Sequence, residues 1–302
     1  MKKLFGVTVA MVTPFDNNDQ VDVPALTELT EMLVQKEVSC LYPCGTTGEM
    51  LRLSALERKL VAETVVKTAD SRLSVFIHVG AMTLSETVEL AVHAKEIGAD
   101  GIGVVTPQFF GCNEREMENY FVTVANSVPK DFPVYLYNIP QCAANNLSVD
   151  VVKKVQQQCP NVIGIKYSFA DLNTTLSYMS VAEDFSVLHG YDKLFNGLLQ
   201  SGCDGTVSGC ACVFPEPFVN TYKAFKEGDT AKAAYWQKIS TEFSDALKSG
   251  ANMAIFKSAL TMRGLTGGHM RLPQLDLTSE DNDVLEQELR ALCEKSAVPF
   301  SL

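Results

Sequence analysis

Features that define several protein classes are missing from this chain of 302 residues. It contains no run of ~20 apolar residues, which excludes a membrane-spanning helix, so we expect no membrane partner. It has no basic cluster interleaved with aromatic residues, and its formal net charge is −11, so we expect no nucleic-acid partner. Two lysines near the N-terminus are not followed by an apolar leader core, because residues 16–19 are polar, and no secretory signal is predicted.

Metal-ligand and disulfide patterns are missing as well. The four histidines form no His-x-His or His-Glu-x-x-His motif, so no metal site is expected. The nine cysteines are irregularly spaced without a Cys-x-x-Cys pair, which indicates the reduced thiols of a cytoplasmic protein. Four cysteines are expected near the mouth of the predicted fold as small buried side chains, with a metal or redox cluster as the alternative: Cys44, Cys142, Cys210 and Cys212.

Short apolar runs alternate along the chain with amphipathic stretches of helix length. The runs predict strands at residues 6–13, 40–44, 74–80, 101–106, 134–138, 162–166, 186–190 and 205–209. Helices are predicted between them at residues 23–35, 55–69, 85–97, 114–127, 149–157, 172–181 and 193–200. Eight strands, each followed by a helix, predict an α/β fold with a parallel (β/α)8 TIM barrel. An open doubly wound sheet is the alternative, but it has fewer strands and a glycine-rich first turn, which this chain lacks.

The C-terminal part of the chain has a different pattern. After residue 209 only helices are predicted, at residues 217–226, 230–248, 253–263 and 280–295. No linker rich in proline, serine or glycine precedes them. We therefore predict a barrel of residues 1–213 and a C-terminal helical extension of residues 214–302 that packs on the barrel and is not an independent domain.

A single lysine, Lys166, ends the sixth predicted strand. The run before it is apolar and β-branched, so a lysine placed there loses hydration, which is costly without a compensating use. Burial favours the neutral amine, which is the form that attacks a carbonyl. Lys166 is therefore a candidate Schiff-base nucleophile. The alternative is a strand-end lysine whose ammonium reaches solvent.

Other polar groups follow the ends of neighbouring strands, where barrel enzymes place their chemistry. In the turn of residues 45–49, Thr46 and Thr47 lie between glycines whose closely spaced amides can bind a carboxylate, although an ordinary strand-to-helix turn is the alternative. Tyr137 falls one strand before Lys166 and can move protons beside an imine, and a core tyrosine is the alternative. Two histidines, His78 and His189, are predicted as strand residues inside the barrel. The combination of turn, tyrosine and lysine is what a pyruvate-dependent class I aldolase needs.

Three motifs together resemble one family. Gly-Thr-Thr-Gly-Glu at residues 45–49, Tyr-Asn-Ile-Pro at 137–140 and Gly-Ile-Lys at 164–166 resemble the dihydrodipicolinate synthase and N-acetylneuraminate lyase family over nearly the whole chain. The resemblance implies a barrel, a covalent lysine–pyruvate imine with no metal or organic cofactor, and a homotetramer. It also implies roles for four residues: Lys166 as the Schiff-base lysine, Tyr137 as the proton relay with Thr47 as its partner, and Thr46 and Thr47 as the groups that hold the pyruvate carboxylate.

The chain departs from the family's pattern in two places. Synthases of the family carry an arginine two residues after the proline of the tyrosine motif, where this chain has Cys142, which cannot bind a distal carboxylate in a bidentate manner. Members also commonly lend a second tyrosine to a neighbouring subunit's proton relay, and this chain has Phe109 in that region. Both departures disfavour dihydrodipicolinate synthase activity.

The Gly-Tyr-Asp sequence at residues 190–192 resembles sialic acid lyases and aldolases of 2-keto-3-deoxy sugar acids. The resemblance implies that Gly190 and Asp192 bind the substrate, with the aspartate on sugar hydroxyls. Lys193 replaces the glutamate of sialate lyases and suits a sugar acid with a second anionic group, or else it is a solvated residue of the first helical turn. Sialate lyases carry a serine where Gly209 aligns, and Ser208 is adjacent, so both are candidate binding residues.

Taken together, the residues and the resemblance predict a class I aldolase or lyase. Its partners are small molecules: a 2-keto-3-deoxy sugar acid or N-acetylneuraminate, cleaved to or formed from pyruvate and an aldehyde. Three alternatives stay open. They are 4-hydroxy-tetrahydrodipicolinate synthase, a dehydratase that uses the same imine on a keto-deoxy sugar acid, and a non-catalytic barrel that binds a keto acid.

Overall fold

Eight parallel strands form a closed barrel in chain order in the computed structural model, which describes residues 1–302. The strands are β1 (Gly6–Ala10), β2 (Cys40–Tyr42), β3 (Ser74–His78), β4 (Gly101–Val105), β5 (Val134–Asn138), β6 (Val162–Tyr167), β7 (Ser186–His189) and β8 (Gly205–Ser208). The barrel predicted from the alternating pattern is confirmed. Most strands end one to three residues earlier than predicted, because the chain leaves the ladder to build loops at the mouth. After β2, for example, the backbone turns at Cys44, whose φ of 61° is left-handed.

Helices cover the outside of the barrel and continue after its last strand. Those between strands are α1 (Val23–Gln35), α2 (Ala55–Ala69), α3 (Leu84–Glu96), α4 (Glu114–Asn126), α5 (Pro140–Ala143), α6 (Val149–Gln158), α7 (Leu172–Met179) and α8 (Phe195–Gln200). After β8 come α9 (Cys210–Val213), α10 (Pro215–Lys226), α11 (Thr230–Ala246), α12 (Met253–Met262) and α13 (Ser279–Ser296). The four-residue helices α5 and α9 were not predicted, since an apolar period of 3.6 cannot be recognised over one turn.

Alternation along each strand separates the barrel lumen from the outer core. Inward residues of β2, β3 and β5, including Tyr42, Phe76 and Tyr135, pack together with Leu4 and Leu188 in a small buried cluster. The outward residues of the same strands join the 70-residue core between the sheet and the helices. Because side chains alternate with a period of two, an inward polar residue near the C-terminal end of a strand faces the mouth of the barrel.

The C-terminal helices pack against the barrel and against one another. Helix α10 contacts β1, α11 contacts both α10 and α13, and α11 also touches the 3-10 turn Asp192–Leu194 that follows β7. That turn corrects the prediction of one helix at residues 193–200, since α8 begins only at Phe195. The division at residue 213 stays a prediction. No helix of the structure combines the length and the apolar character required to cross a membrane.

Candidate active site

Lys166 projects from β6 into the mouth of the barrel. Only 5% of Lys166 is exposed, and in the pairing of β6 with β5 it lies next to Tyr137. The Nζ atom lies 4.0 Å from the centre of the Tyr137 ring and 5.1 Å from the centre of the Tyr42 ring. Electron-rich ring faces therefore line the amine on two sides. Because the residue is buried, the structure excludes the alternative in which the amine extends into solvent.

The amine opens into a cavity of about 570 Å³. Residues from several strand ends line this cavity, as expected for a barrel enzyme. Eight of the nine predicted site residues are on its wall: Thr46, Thr47, Tyr137, Lys166, Gly190, Asp192, Lys193 and Gly209. Ser208 is the exception. Its hydroxyl donates to Asp192 Oδ2 at 2.9 Å and accepts from the Ala211 amide at 3.0 Å, so it acts on Asp192 and does not face the cavity.

The turn of residues 45–49 lines the same cavity as Lys166, through Thr46 and Thr47. Amides of Gly48 and Glu49 donate to carbonyls within the turn, at 3.1 Å each. The amides of Thr46 and Thr47 are not used in this way, and the buried Thr46 hydroxyl has no hydrogen-bond partner in the protein. Neighbouring backbone amides that have no partner within the protein can form a site for an anion such as a carboxylate. The turn therefore has groups of the kind that the predicted carboxylate site requires, and its role in binding stays a prediction.

A buried ion pair anchors this turn from behind. Glu49, in a left-handed conformation with φ of 58°, lies 2.6 Å from Lys257 Nζ of α12, and both residues are almost fully buried. Lys257 also donates to the His269 carbonyl at 2.6 Å, and Arg52 donates to Glu49 Oε2 at 2.9 Å. Burial lowers the pKa of Lys257, and the carboxylate of Glu49 opposes that change. The C-terminal extension thus fixes the turn that carries Thr46 and Thr47.

Asp192 lies at the side of the cavity in a network of hydroxyl groups. Burial raises the pKa of its carboxyl to about 6, and hydrogen bonds from Ser208, Cys210 and Thr206 and the charge of Lys166 oppose the rise. Gln237 of α11 donates to the backbone carbonyl of Asp192 at 3.1 Å and so holds the turn in place. A carboxyl in this position can exchange hydrogen bonds with substrate hydroxyls in either protonation state.

The raised pKa of Asp192 predicts a pH-dependent stability. Because folding favours the protonated carboxyl, its stabilising contribution is complete below the unfolded pKa of about 4 and is lost as the pH rises to about 6. Relative to Asp192→Asn, the wild-type protein should lose about 1.4 kcal/mol of unfolding free energy per pH unit in this window. Urea unfolding of both proteins across the window tests this. A difference between the two that does not vary with pH would contradict it.

Two cations stand at the rim of the cavity. Lys193 is paired with Asp245 of α11, which raises the pKa of the lysine by a hydrogen bond. Lys248 lies 4.0 Å from Glu288 and has a left-handed φ of 52°. Lys193 was predicted either as a cation of the binding site or as a solvated residue. It has features of both, since it lines the cavity and is also partly solvated with a carboxylate partner.

Several expectations for cysteine and histidine need correction. Of the four cysteines expected as buried side chains at the mouth, Cys210 is buried and lines the cavity, Cys142 lines it but is exposed, and Cys44 and Cys212 are buried in the outer core. His189 does not face the lumen. Its Nδ1 accepts from the Tyr191 amide at 3.1 Å, and its Nε2 lies 3.2 Å from Thr175 Oγ1 on α7, outside the sheet. The cause is alternation along β7, which directs the neighbouring Leu188 inward instead.

Part of the cavity wall was not predicted from the sequence. The cavity is also lined by Lys248–Gly250 and Phe256, which belong to the C-terminal extension. A Cβ atom built on Gly209 would lie 2.7 Å from Phe256 Cε2 and 3.1 Å from Thr47 Oγ1, so only glycine fits between these groups. No motif marks the extension residues. The one signal in the sequence that could have indicated these residues is the serine and glycine at the break between the predicted helices 230–248 and 253–263.

Comparison with known proteins places these features in a wider group. The model of the dihydrodipicolinate synthetase family matches residues 3–292. The 4-hydroxy-tetrahydrodipicolinate synthase of Aquifex aeolicus is 32% identical over 286 residues, 94% of this chain and 96% of that protein. A probable 2-dehydro-3-deoxy-D-pentonate aldolase of Escherichia coli K12 is 35% identical over 243 residues, 79% of this chain and 80% of that protein.

A solved structure is similar over almost the whole fold. The sialic acid aldolase of Ruminococcus gnavus, in a catalytic lysine mutant, superposes with a TM-score of 0.92 and 26% identity. The match covers 99% of this chain and all of that chain (100%). The chain is thus similar at comparable levels to proteins that are named for three different reactions.

Proposed function

The chain belongs to the dihydrodipicolinate synthetase family and is a class I, Schiff-base-forming pyruvate aldolase or lyase, and from this premise we propose that it cleaves or forms a 2-keto-3-deoxy sugar acid or N-acetylneuraminate. The observation that carries the proposal is the buried Lys166 amine packed on the Tyr137 ring, at 4.0 Å, in a cavity that Asp192 also lines. In the family the electron sink is a covalent lysine–pyruvate imine.

The proposed reaction assigns one task to each group near the amine. Lys166 attacks C2 of the keto acid, and the ketone oxygen leaves as water, which produces an iminium ion. Loss of the proton from the C4 hydroxyl breaks the C3–C4 bond, releases the aldehyde and leaves an enamine. Tyr137 is the group proposed to move this proton, with Thr47 as its partner, because its ring contacts the amine. Protonation at C3 and hydrolysis of the imine then return pyruvate and free Lys166.

The carboxylate of the keto acid is proposed to bind at the turn of residues 45–49. The unused amides of Thr46 and Thr47 and the unpartnered Thr46 hydroxyl support this role. Donors fixed in the folded protein before the substrate arrives hold it without further ordering cost.

The far side of the cavity supports the choice of substrate. Asp192, beside Gly190, provides a carboxyl for sugar hydroxyls, and the rim cations Lys193 and Lys248 suit an acidic substrate. The position of the synthase arginine holds Cys142, which lines the cavity without a charge, so a distal carboxylate has no bidentate partner there. These features favour a polyhydroxylated substrate over the short aldehyde with a distal carboxylate that a synthase requires.

The test is release of pyruvate from a substrate panel, coupled to NADH oxidation by lactate dehydrogenase. The panel contains N-acetylneuraminate, 2-keto-3-deoxygluconate and a 2-keto-3-deoxy sugar diacid, and Lys166→Ala is the negative control. Release from either of the first two supports the proposal and identifies the substrate. Water elimination from the diacid without aldehyde indicates the dehydratase, and condensation of pyruvate with aspartate semialdehyde indicates the synthase. Imine formation with no turnover on any compound indicates a non-catalytic binder.

We also propose that the chain forms a homotetramer, as the family resemblance implies. The neighbouring rings of Phe109 and Phe110 are 75% and 72% exposed and meet edge to face at 5.0 Å. Such an apolar pair in solvent fits a contact with a second copy. Phe109→Ser/Phe110→Ser should lower the mass measured by light scattering from a tetramer to a smaller species. Tyr235→Ser, at a 50% exposed site on α11, is the matched control. A monomeric wild type, or a tetrameric double variant, contradicts the proposal.

A further inference from the structure

Two buried polar side chains beneath Lys166 have no role in the proposed reaction. Tyr42 of β2 and His78 of β3 are each 0% exposed. The Tyr42 hydroxyl and the His78 Nε2 atom have no hydrogen-bond partner in the protein. Leaving a buried donor or acceptor unpaired destabilises the folded protein, so an unpaired donor and an unpaired acceptor in one region call for an explanation.

Both side chains point into the lumen beside the reacting amine. The Tyr42 ring centre lies 5.1 Å from Lys166 Nζ. The His78 ring lies between two tyrosine rings, 6.0 Å from Tyr42 and 5.9 Å from Tyr137, and is perpendicular to the latter. The absence of a side chain at Gly103 makes this arrangement possible, since a Cβ atom there would lie 1.7 Å from the Tyr42 hydroxyl.

The hydrogen bond on the other side of His78 fixes its tautomer. Nδ1 lies 3.0 Å from the Cys44 carbonyl, which can only accept, so Nδ1 carries the proton and Nε2 is a free acceptor. Burial, together with the charges of Arg58 and Lys166, holds the pKa of His78 well below its ordinary value. The imidazole is therefore neutral in the resting protein, and its free lone pair faces the interior.

We propose that the Tyr42 hydroxyl and the His78 Nε2 atom bind a water molecule beneath Lys166, and that this water carries protons during formation of the pyruvate imine. A water accepts from the phenol and donates to Nε2, so it satisfies both unpaired atoms at once. Tyr42 and His78 are then positioning residues, since they act on Lys166 through the water. The inference rests on the proposed role of Lys166.

The proton balance of imine formation shows where the water acts. When the Lys166 ammonium reacts with the ketone, two N–H protons end on the ketone oxygen, which leaves as water, and the positive charge stays on nitrogen. The first proton must leave Nζ before the amine can attack. The bound water takes it from Nζ and delivers it to the C2 oxygen, which departs as water, while the neutral imidazole of His78 holds the water through Nε2 and is not itself protonated. Cleavage of the C3–C4 bond uses Tyr137 and does not involve this pair.

The experiment measures the rate at which the protein forms an imine with pyruvate. The reaction is stopped at short times with borohydride, which reduces the imine, and the fraction of protein that carries the adduct is measured by mass spectrometry of the intact protein. Tyr42→Phe keeps the ring and removes the hydroxyl. His78→Asn keeps a donor for the Cys44 carbonyl and removes the Nε2 acceptor. We expect each variant to form the imine about 10- to 100-fold more slowly, at the lower end of general acid–base effects, with an unchanged final yield. The double variant should be no slower than either single variant, because one water serves both groups.

The matched control is Tyr135→Phe, the same substitution in the same lumen. The Tyr135 hydroxyl accepts from the Leu4 amide at 3.0 Å, away from Lys166, so its loss should leave the imine rate unchanged. Wild-type rates in Tyr42→Phe overturn the inference, as do rates that multiply in the double variant. If His78→Asn does not fold, Tyr42→Phe alone decides. If the wild type itself forms no imine, the proposed function fails first, and the two failures are thereby distinguished.

Discussion

Replacement of Lys166 by alanine is expected to abolish turnover, with a loss on the order of 10⁴-fold or more, as for removal of other enzyme nucleophiles. The amine forms the covalent bond that turns C2 into an electron sink, and no other lysine amine is placed on the Tyr137 ring. The same variant should gain no mass after treatment with pyruvate and borohydride. The barrel should remain folded, because the substitution removes a charge from the cavity and leaves the strand ladder of β6 unchanged.

The matched control for this prediction is another lysine at the opposite end of the barrel. Lys223 of α10 is half exposed and pairs with Glu37, far from the cavity. Lys223→Ala should keep wild-type turnover and should still be labelled by pyruvate and borohydride at the wild-type level. Wild-type-like turnover in Lys166→Ala, or a pyruvate adduct on that variant, would show that another residue is the nucleophile.

The second large effect concerns stability. Lys257→Met should lower the free energy of unfolding by about 3–5 kcal/mol, because it leaves the buried carboxylate of Glu49 without its main partner. Arg52 still reaches Glu49 at 2.9 Å and reduces the loss but does not replace a buried contact. Urea unfolding with an unchanged m value measures the change. The affinity for pyruvate should fall as well, since Glu49 ends the turn that carries Thr46 and Thr47.

An exposed ion pair provides the comparison for Lys257. Lys295 of α13 lies 2.8 Å from Glu242 with 57% of its side chain exposed, so Lys295→Met should change stability by less than about 1 kcal/mol. The double variant Glu49→Gln/Lys257→Met should recover part of the loss, because it removes the uncompensated charge. Equal losses in Lys257→Met and Lys295→Met would refute the assignment of the turn's anchor to this pair.

The barrel could be predicted from the sequence because its signal is local. Apolar runs of strand length separated by helical patterns imply parallel strands, and strand order follows chain order in a barrel. The same logic brings Tyr137 and Lys166 together, since they end consecutive strands and prove to be paired in register. Thr46 and Thr47 are predictable for the same reason, because they follow the end of β2.

The rest of the cavity depends on contacts that chain position does not encode. The orientation of Ser208 toward Asp192 is decided by the α9 turn, which is too short to leave a period in the sequence. The contact of the Tyr42 ring with Lys166 depends on Gly103 of a third strand, because a side chain at that position would collide with the Tyr42 hydroxyl. His189 was misassigned because the register of β7 in the barrel decides which of its residues face inward, and a difference of one residue in register reverses the side.

Two parts of the chain, the strand ends of the barrel and the C-terminal extension, form the cavity. Strand ends supply its floor, with Lys166 and Tyr137, whereas Lys248–Gly250 from the C-terminal extension supplies part of its rim. Lys248 and Ser249 both adopt left-handed backbone conformations, which makes this rim a tight, self-contained bend. Under the proposed function the imine-forming groups lie on the floor, whereas Asp192 and Lys193 of the barrel share the rim with this bend and face the rest of the substrate. Directed evolution toward a new aldehyde can accordingly vary this shared rim, while the imine-forming floor stays constant throughout the library.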